Sequence, residues 1–403
     1  MTDRVVRTLD RSEHLSAYGV FAEALHAPRG PDENRERIER AHQVGRCLGA
    51  FDGDELVGTA RSVDVSVAVP GSGCVPASAV TGVGVRPHRT RRGVLRDLMS
   101  TQLGAFRERG IPLAGLLASE GAIYGRFGYG VATVERSLRV WRHGTRVREQ
   151  APSGGDVELL DTDAALRRLP EIYRSLASAR PGMLSRPEQL WAGWEGFYRR
   201  SSGVARGVVY HGRDGVEGYA MYCVERDRAG GDGACVLSVD DMHACSDSAF
   251  AELWRFLLGV DLVDRVEVSN RPLDEPVEAL LDNPQACRTT GMRDHLWLRL
   301  VDVRAALAAR TYGTDTAVVL SVHDPVLPDN SGTYRVSGAG VERTDRAPQL
   351  RAEVDTLAML YLGTWRPSAL AGVGRLEVVD PAAVESADRL FAGAVQPWCG
   401  TGF

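Results

Sequence analysis

Between residues 56 and 71 the chain alternates apolar and polar positions (LVGTARSVDVSVAVPG), which predicts paired strands with a turn at Pro70-Gly71. The stretch SAVTGVGVRP (78–87) predicts another strand, stopped by Pro87. The period then changes. Val94, Leu95, Leu98, Met99, Leu103 and Phe106 recur at helical spacing, and Gly110 ends the helix. IPLAGLLAS (111–119) is short and apolar, as a buried strand is, and it runs into a glycine-rich loop, SEGAIYGRFGYG (119–130). Strand, basic turn, helix, buried strand and glycine loop make an α/β order.

A polar Pro/Gly-rich stretch (148–157) then reads as a linker, and a similar order returns about 150 residues downstream. Strands are predicted over 215–227 and 234–244, a helix over 248–260 capped by Ser246 or Asp247, and a strand over 265–270. The two turns differ: RPHRTRRG (86–93) in the first unit, DDMHACSD (240–247) in the second. Arginines in one have become aspartates in the other, so an anion seated on the first turn is expected to be repelled by the second. From LWLRLVDVRAALAAR (296–310) onward the pattern changes again. A helix (303–310), short strands within 316–355, and helices over 355–363, 366–374 and 381–393 predict an α+β unit.

Composition narrows the function. A chain of 403 residues calls for two or three domains. An apolar fraction of 44% with 25% charged residues is that of a globular protein. No stretch approaches the ~20 apolar residues of a membrane span, and the N-terminus has no apolar signal core, which predicts a cytoplasmic location without membrane contact. A net charge of −5 argues against nucleic acid as a partner. Seven cysteines without a C-x-x-C pattern suit reduced thiols. All 48 basic residues are arginine, so Schiff-base lysine chemistry and a Walker-type phosphate loop are both excluded. DDMHAC (240–245) lacks the close ligand pairs of structural zinc, and no metal is expected.

Candidate chemistry concentrates on the first turn. Arg86, Arg89, Arg91 and Arg92 lie just before a helix that begins after Gly93. Free N–H groups at a helix N-terminus, the helix dipole and guanidinium groups favour a phosphate or pyrophosphate. The plain alternative is a solvated basic turn. Thr90-Arg91-Arg92-Gly93-Val94-Leu95 resembles the acetyl-coenzyme A signature of the GCN5-related N-acetyltransferases, from which Thr90 and Leu95 depart. With SEGAIYGRFGYG, the upstream VxPxxRxRRGxLR pattern, LSRPEQLW near 184, DHLWLRLVDV near 294, LYLG near 360 and the C-terminal aromatic, the whole chain resembles the Eis (enhanced intracellular survival) acetyltransferases.

That resemblance implies two tandem acetyltransferase folds, the second degenerate, and then a sterol-carrier-like α+β domain, with divisions at 1–148, 149–298 and 299–403. It implies acetyl-CoA as co-substrate. Strand backbone at Val83 and Val85 would hold the pantetheine arm, and N–H groups of Arg91, Arg92, Gly93, Val94 and Leu95 the pyrophosphate. Ser119 would face the cofactor. Tyr124 matches the family's general acid, with glycines 121, 125, 128 and 130 folding the loop round the thiol, while Phe127 and Tyr129 are read as core. The carboxylate of Phe403 matches the base. Because Gly402 stands where relatives carry an acid, Asp32, Glu33 and Glu36 are candidates to hold the substrate ammonium. The resemblance implies a homohexamer acting on polycationic small molecules, with aminoglycosides the best-known substrates. A protein lysine acetyltransferase, or a non-catalytic lipid- or ligand-binding module, are the other readings.

Overall fold

The computed structural model describes residues 4–27, 35–71, 73–176, 180–200, 204–227 and 233–403. In chain order the first unit comprises β1 (Arg4–Thr8), α1 (His14–Ala24), α2 (Arg35–Arg40), β2 (Cys47–Asp52), β3 (Glu55–Val69), β4 (Gly73–Val85), α3 (Val94–Glu108), β5 (Leu113–Leu117), α4 (Gly121–Tyr124) and β6 (Gly130–Val131). The alternation read over 56–71 is a single long strand, and its hairpin partner begins at Gly73, five residues before the expected start. The crossover through α3 makes β4 and β5 parallel. α3 buries Val94, Leu98, Met99, Leu103 and Phe106, all but one of the helix-spaced apolar residues.

The chain then leaves for a second seven-stranded sheet. It is built by β7 (Val134–Trp141), β8 (Asp156–Asp161), α5 (Thr162–Leu176), α6 (Glu188–Arg200), β9 (Val204–Gly212), β10 (Gly215–Arg226), β11 (Cys235–Ala244), α7 (Asp247–Gly259), β12 (Arg265–Arg271), α8 (Val277–Leu280) and β13 (Cys287–Asp294). β14 (Leu296–Leu300) returns to the first sheet. The strand orders are β1-β2-β3-β4-β5-β14-β6 and β13-β7-β12-β11-β10-β9-β8. The divisions expected at 148/149 and 298/299 therefore do not follow the sheets. β7 lies before the first boundary yet pairs with β12 and β13, and β14 crosses the second boundary inside the first sheet. An alternating strand carries no mark of the sheet it will join. Backbone pairing fixes that choice.

The third unit has α9 (Val303–Ala308), β15 (Val318–His323), β16 (Gly332–Ser337), β17 (Gly340–Arg343), β18 (Leu350–Glu353), α10 (Val354–Tyr361), α11 (Pro367–Gly372), β19 (Leu376–Val378) and α12 (Ala383–Phe391), with strand order β17-β16-β15-β18-β19. Its core is continuous with one face of the first sheet, where Val63, Val67, Leu298 and Leu300 pack with Leu320, Leu357 and Leu390. A fully buried pair, Arg299–Asp324, joins β14 to the loop after β15 with two contacts of 2.8 and 2.6 Å. No helix among the described residues is long and apolar enough to cross a membrane.

The second turn needs correction. Asp240 and Asp241 are not in it. They belong to β11, and the turn proper is Cys245-Ser246. Asp241 is buried against Arg186 and does not repel anything from the turn. Ser246 caps α7 as expected, its Oγ accepting from the Ala249 N–H at 3.1 Å.

Candidate active site

A split in the first sheet organises the site. β4 and β5 pair from Ala77–Leu113 to Val80–Leu116 and no further. Just beyond, the β3–β4 register slips: Arg61 faces Thr81, but Thr59 faces Gly84. The extra residue is a bulge at Gly82-Val83, and a bulge bends its strand. Thr81–Val85 thus stay paired with β3 while their other edge turns away from β5. Val83, Gly84 and Val85 on one lip and Ser119 beyond the other line a cavity of about 1000 Å³.

One end of this cavity is the N-terminus of α3. Gly93 takes a left-handed conformation (φ +85°), which an L-residue tolerates poorly, and no side chain caps the helix. Among the described residues, none of the N–H groups of residues 91–95 donates to a turn, loop or cap acceptor. Arg91, Gly93, Val94 and Leu95 line the cavity, while Arg92 lies beside it. The arginines divide. Arg86 is held by Glu23 at 2.7 Å and Arg89 by Glu55 at 2.5 Å, so both are neutralised locally. Arg91, Arg96 and Arg126 are exposed at the cavity, with no carboxylate partner among the described residues. Arg96 and Arg126 escaped the sequence reading because one sits a turn inside the helix and the other in the glycine segment. Only the fold brings them to the same opening.

The glycine segment is not an open loop. It forms α4 and a short 3-10 turn, Gly125–Phe127. Tyr124 lines the cavity and is 7% exposed. Burial, with a smaller contribution from Glu120, raises its phenol above the usual range, so it stays protonated at neutral pH. Tyr129 packs edge-on against it at 6.1 Å, does not reach the cavity and is wholly buried. The glycines do not all serve the thiol side, as the resemblance implied. A Cβ on Gly130 would lie 2.0 Å from the Asp355 carbonyl, and one on Gly128 would meet Val354 and Arg299. Their small size admits the third unit, which itself contributes Pro325 and Val326 to the cavity.

A second cavity of about 660 Å³ opens on the other side of the split. Thr81, Leu117 and Ser119 line it from the first unit, and Ser119 is common to both cavities. Asp240, Ser269 and Asn270 come from the second unit, and Gly402 and Phe403 from the end of the chain. Asp240 occupies a bulge of its own, since Met221 faces Asp241 and Tyr222 faces Val239. Burial and the neighbouring Asp241 raise its carboxyl to about 6. Neither Asp240 nor the terminal carboxylate has an ion-pair partner among the described residues. Two cations also line this space, but Arg293 is paired with Glu135 and Arg61 donates to the Ala41 carbonyl. Asp294 accepts from the Trp297 indole at 2.5 Å.

Of the acids considered for the ammonium, Asp32 and Glu33 lie outside the described residues, and Glu36 is exposed on α2, away from this cavity. Asp240, which the sequence pattern had placed in the second turn, is instead an acid that lines this cavity. Among the described residues no group of three His, Cys, Asp or Glu side chains could hold a metal ion.

The chain is similar to known proteins along its length. Residues 5–132 and 182–304 each match a model of the acetyltransferase (GNAT) domain, and 303–400 match a sterol carrier protein domain. The chain is 38% identical to an uncharacterized N-acetyltransferase of Streptomyces coelicolor, over 98% of this chain and 99% of that protein. It is 35% identical to the N-acetyltransferase Eis of Mycobacterium bovis, over 86% of each chain. The crystal structure of Eis1 from Mycobacterium abscessus matches with a TM-score of 0.90 at 38% identity, covering 100% of both chains. A GCN5-related N-acetyltransferase from Kribbella flavida matches with a TM-score of 0.79 at 25% identity, covering 100% of this chain and 98% of that one. Acetyltransferases of this fold draw on acetyl-CoA. With two acetyltransferase units, a sterol carrier unit and identity that runs through most of its length, the chain belongs to the Eis family of GCN5-related N-acetyltransferases.

Proposed function

We propose that this acetyltransferase moves the acetyl group of acetyl-CoA to an amine of a polycationic small molecule, of which aminoglycosides are the leading class. One observation carries the reading. Two cavities meet at the β4/β5 split and share Ser119, one ending at an uncapped helix N-terminus with loose arginines, the other lined by Asp240 and Phe403, whose carboxylates have no ion-pair partner among the described residues. The first suits a pyrophosphate and its pantetheine arm. The second suits an ammonium group, and a further positive charge on the same substrate.

In this reading the N–H groups of residues 91–95 hold the diphosphate, and the free edge of Val83–Val85 aligns the pantetheine amides. The amine must lose a proton to attack, and the carboxylate of Phe403 accepts it. The amine nitrogen bonds to the acetyl carbon, the carbon–sulfur bond breaks, the Tyr124 phenol protonates the departing thiolate, and the second proton that the nitrogen sheds passes through solvent and restores the phenol. Such acid–base assistance is typically worth about 10²–10⁴-fold each. Asp240 holds a second ammonium. The family relationship also leads us to propose a homohexamer, which sedimentation equilibrium tests.

Thiol release from acetyl-CoA, followed with aminoglycosides, linear polyamines and lysine peptides, is the deciding experiment. Turnover with the first two and little with the peptides is expected. Turnover confined to the peptides would replace this reading with a protein lysine acetyltransferase.

A further inference from the structure

The second unit repeats the split. β11 and β12 pair from Val236–Arg265 to Val239–Val268, and the strands then part at the Asp240 bulge. This split is filled by the chain's own C-terminus. The Trp398 indole N–H donates to the Asn270 carbonyl at 3.0 Å and its side-chain oxygen at 3.1 Å, on one lip. Its ring lies 4.9 Å from that of His243, on the other. Trp398, Cys399, Gly400 and Thr401 are buried.

Arg186, the arginine of the LSRPEQLW stretch, ties this tail down. Its side chain is inaccessible to solvent, as is nearly all of Asp241. Nη1 and Nη2 donate to the Asp241 carboxylate at 2.7 and 2.9 Å. Two further donors go to the tail, Nη2 to the Gly400 carbonyl at 2.6 Å and Nε to the Thr401 hydroxyl at 3.0 Å, while Nη1 also reaches the Tyr219 hydroxyl at 3.3 Å. The guanidinium lies 3.9 Å over the ring of Tyr173, whose hydroxyl is 3.2 Å from that of Thr401. The Tyr219 hydroxyl donates to Asp241 at 2.7 Å, and the His243 Nε2 lies 3.0 Å from its other oxygen.

A buried ion pair is a poor route to stability, since apolar replacements of such pairs are often neutral or stabilising. It is a good route to geometry, because the planar guanidinium fixes both partners' directions. Chain ends fray unless tied down. Two residues beyond Thr401 the chain ends in the cavity that faces the first split.

We propose that Arg186, held by Asp241, is a positioning residue for acetyl transfer: the degenerate unit grips the C-terminal tail in its split and thereby sets the Phe403 carboxylate beside the amine in the catalytic unit. This rests on the reading that the terminal carboxylate accepts the amine proton.

The test uses the full chain with Arg186→Lys, with Thr401→Val, and with a few residues appended after Phe403. Thr401→Val removes only a hydroxyl from the grip and decides the matter if Arg186→Lys does not fold. Both substitutions should leave acetyl-CoA affinity unchanged and lower kcat at pH 7 by about 10- to 100-fold, the scale of a small misplacement of a reacting group. The loss should shrink at high pH, where the amine is already neutral, a recovery that a purely structural role would not give. Wild-type kcat and pH profile in Thr401→Val, together with loss of turnover in the extended chain, would overturn the positioning role and leave the terminal carboxylate in place. Full turnover in the extended chain would overturn both.

Discussion

The two acetyltransferase units share a construction and put it to different uses. In each, a parallel strand pair ends at a bulge and the strands part, at Gly82-Val83 in one and Asp240 in the other. In each, a helix follows the bulged strand. The first helix begins at an uncapped left-handed glycine, leaving its N–H groups open to a ligand. The second begins at Ser246, whose Oγ takes the Ala249 N–H and itself donates to Glu217 at 2.5 Å. The first split opens into a cavity, whereas the second is packed with Trp398–Thr401. The same backbone plan thus presents an open helix start and a cavity in one unit, and an internally capped helix and a split occupied by the chain's own tail in the other.

The largest expected break in this comparison is at the open split. Tyr124→Phe removes the proposed acid and keeps the ring, so kcat should fall by about 10²–10⁴-fold with acetyl-CoA affinity unchanged. Steady-state kinetics beside calorimetric titration measures this. A damaging Tyr129→Phe with a harmless Tyr124→Phe would move the proton donor to Tyr129 and overturn the assignment to Tyr124.

Next is the helix start. Gly93→Asp puts a negative charge and a strained left-handed residue where the diphosphate is proposed to bind, and acetyl-CoA affinity should drop about 10- to 100-fold, or about 1.4–2.8 kcal/mol. Calorimetry on a chain shown by circular dichroism to be folded checks it. Unchanged affinity would move the diphosphate elsewhere.

Asp240→Asn tests the acid that faces the second cavity. With the carboxyl raised from 3.8 to about 6, the folded chain holds a proton that the unfolded chain has released. The associated stability is present below about pH 4 and is lost as pH rises through about 6. Above that, ionised Asp240 costs stability, so the Asn variant should be more stable than the parent by about 1–2 kcal/mol at pH 8, and close to equal at pH 4. The same change should weaken polyamine binding about 3- to 10-fold at pH 7.5, with little effect at pH 5, the order of a single partly solvated charge pair. Denaturant melts and KM at the two pH values separate these effects.

The smallest effect belongs to the closed unit. Ser246→Ala removes a helix cap and should cost about 1 kcal/mol of stability. Acetyl-CoA affinity should not change. A loss of affinity there would mean that the second helix start also serves the ligand.

Local pattern determined much of this protein. The helix at 94–108, the strands at 215–226 and 235–244, the cap at Ser246 and the α+β character of the last hundred residues follow from apolar spacing and turn chemistry, which act between near neighbours. Gly93 stood out as a glycine between a basic turn and an apolar helical spacing, whereas Tyr124 was singled out from Phe127 and Tyr129 of the same glycine-rich segment only by the family resemblance. Three features were decided by tertiary structure alone. β7 and β14 changed sheets, because any alternating strand satisfies either edge and only pairing selects one. Asp240 lines the second cavity, because a bulge re-aims a side chain without leaving a mark in the sequence. Arg186 and Thr401 lie 215 positions apart along the chain and are a single hydrogen bond apart in space. The enclosure of that guanidinium, with Asp241 as its counter-charge, is a property of the folded interior and of no segment by itself.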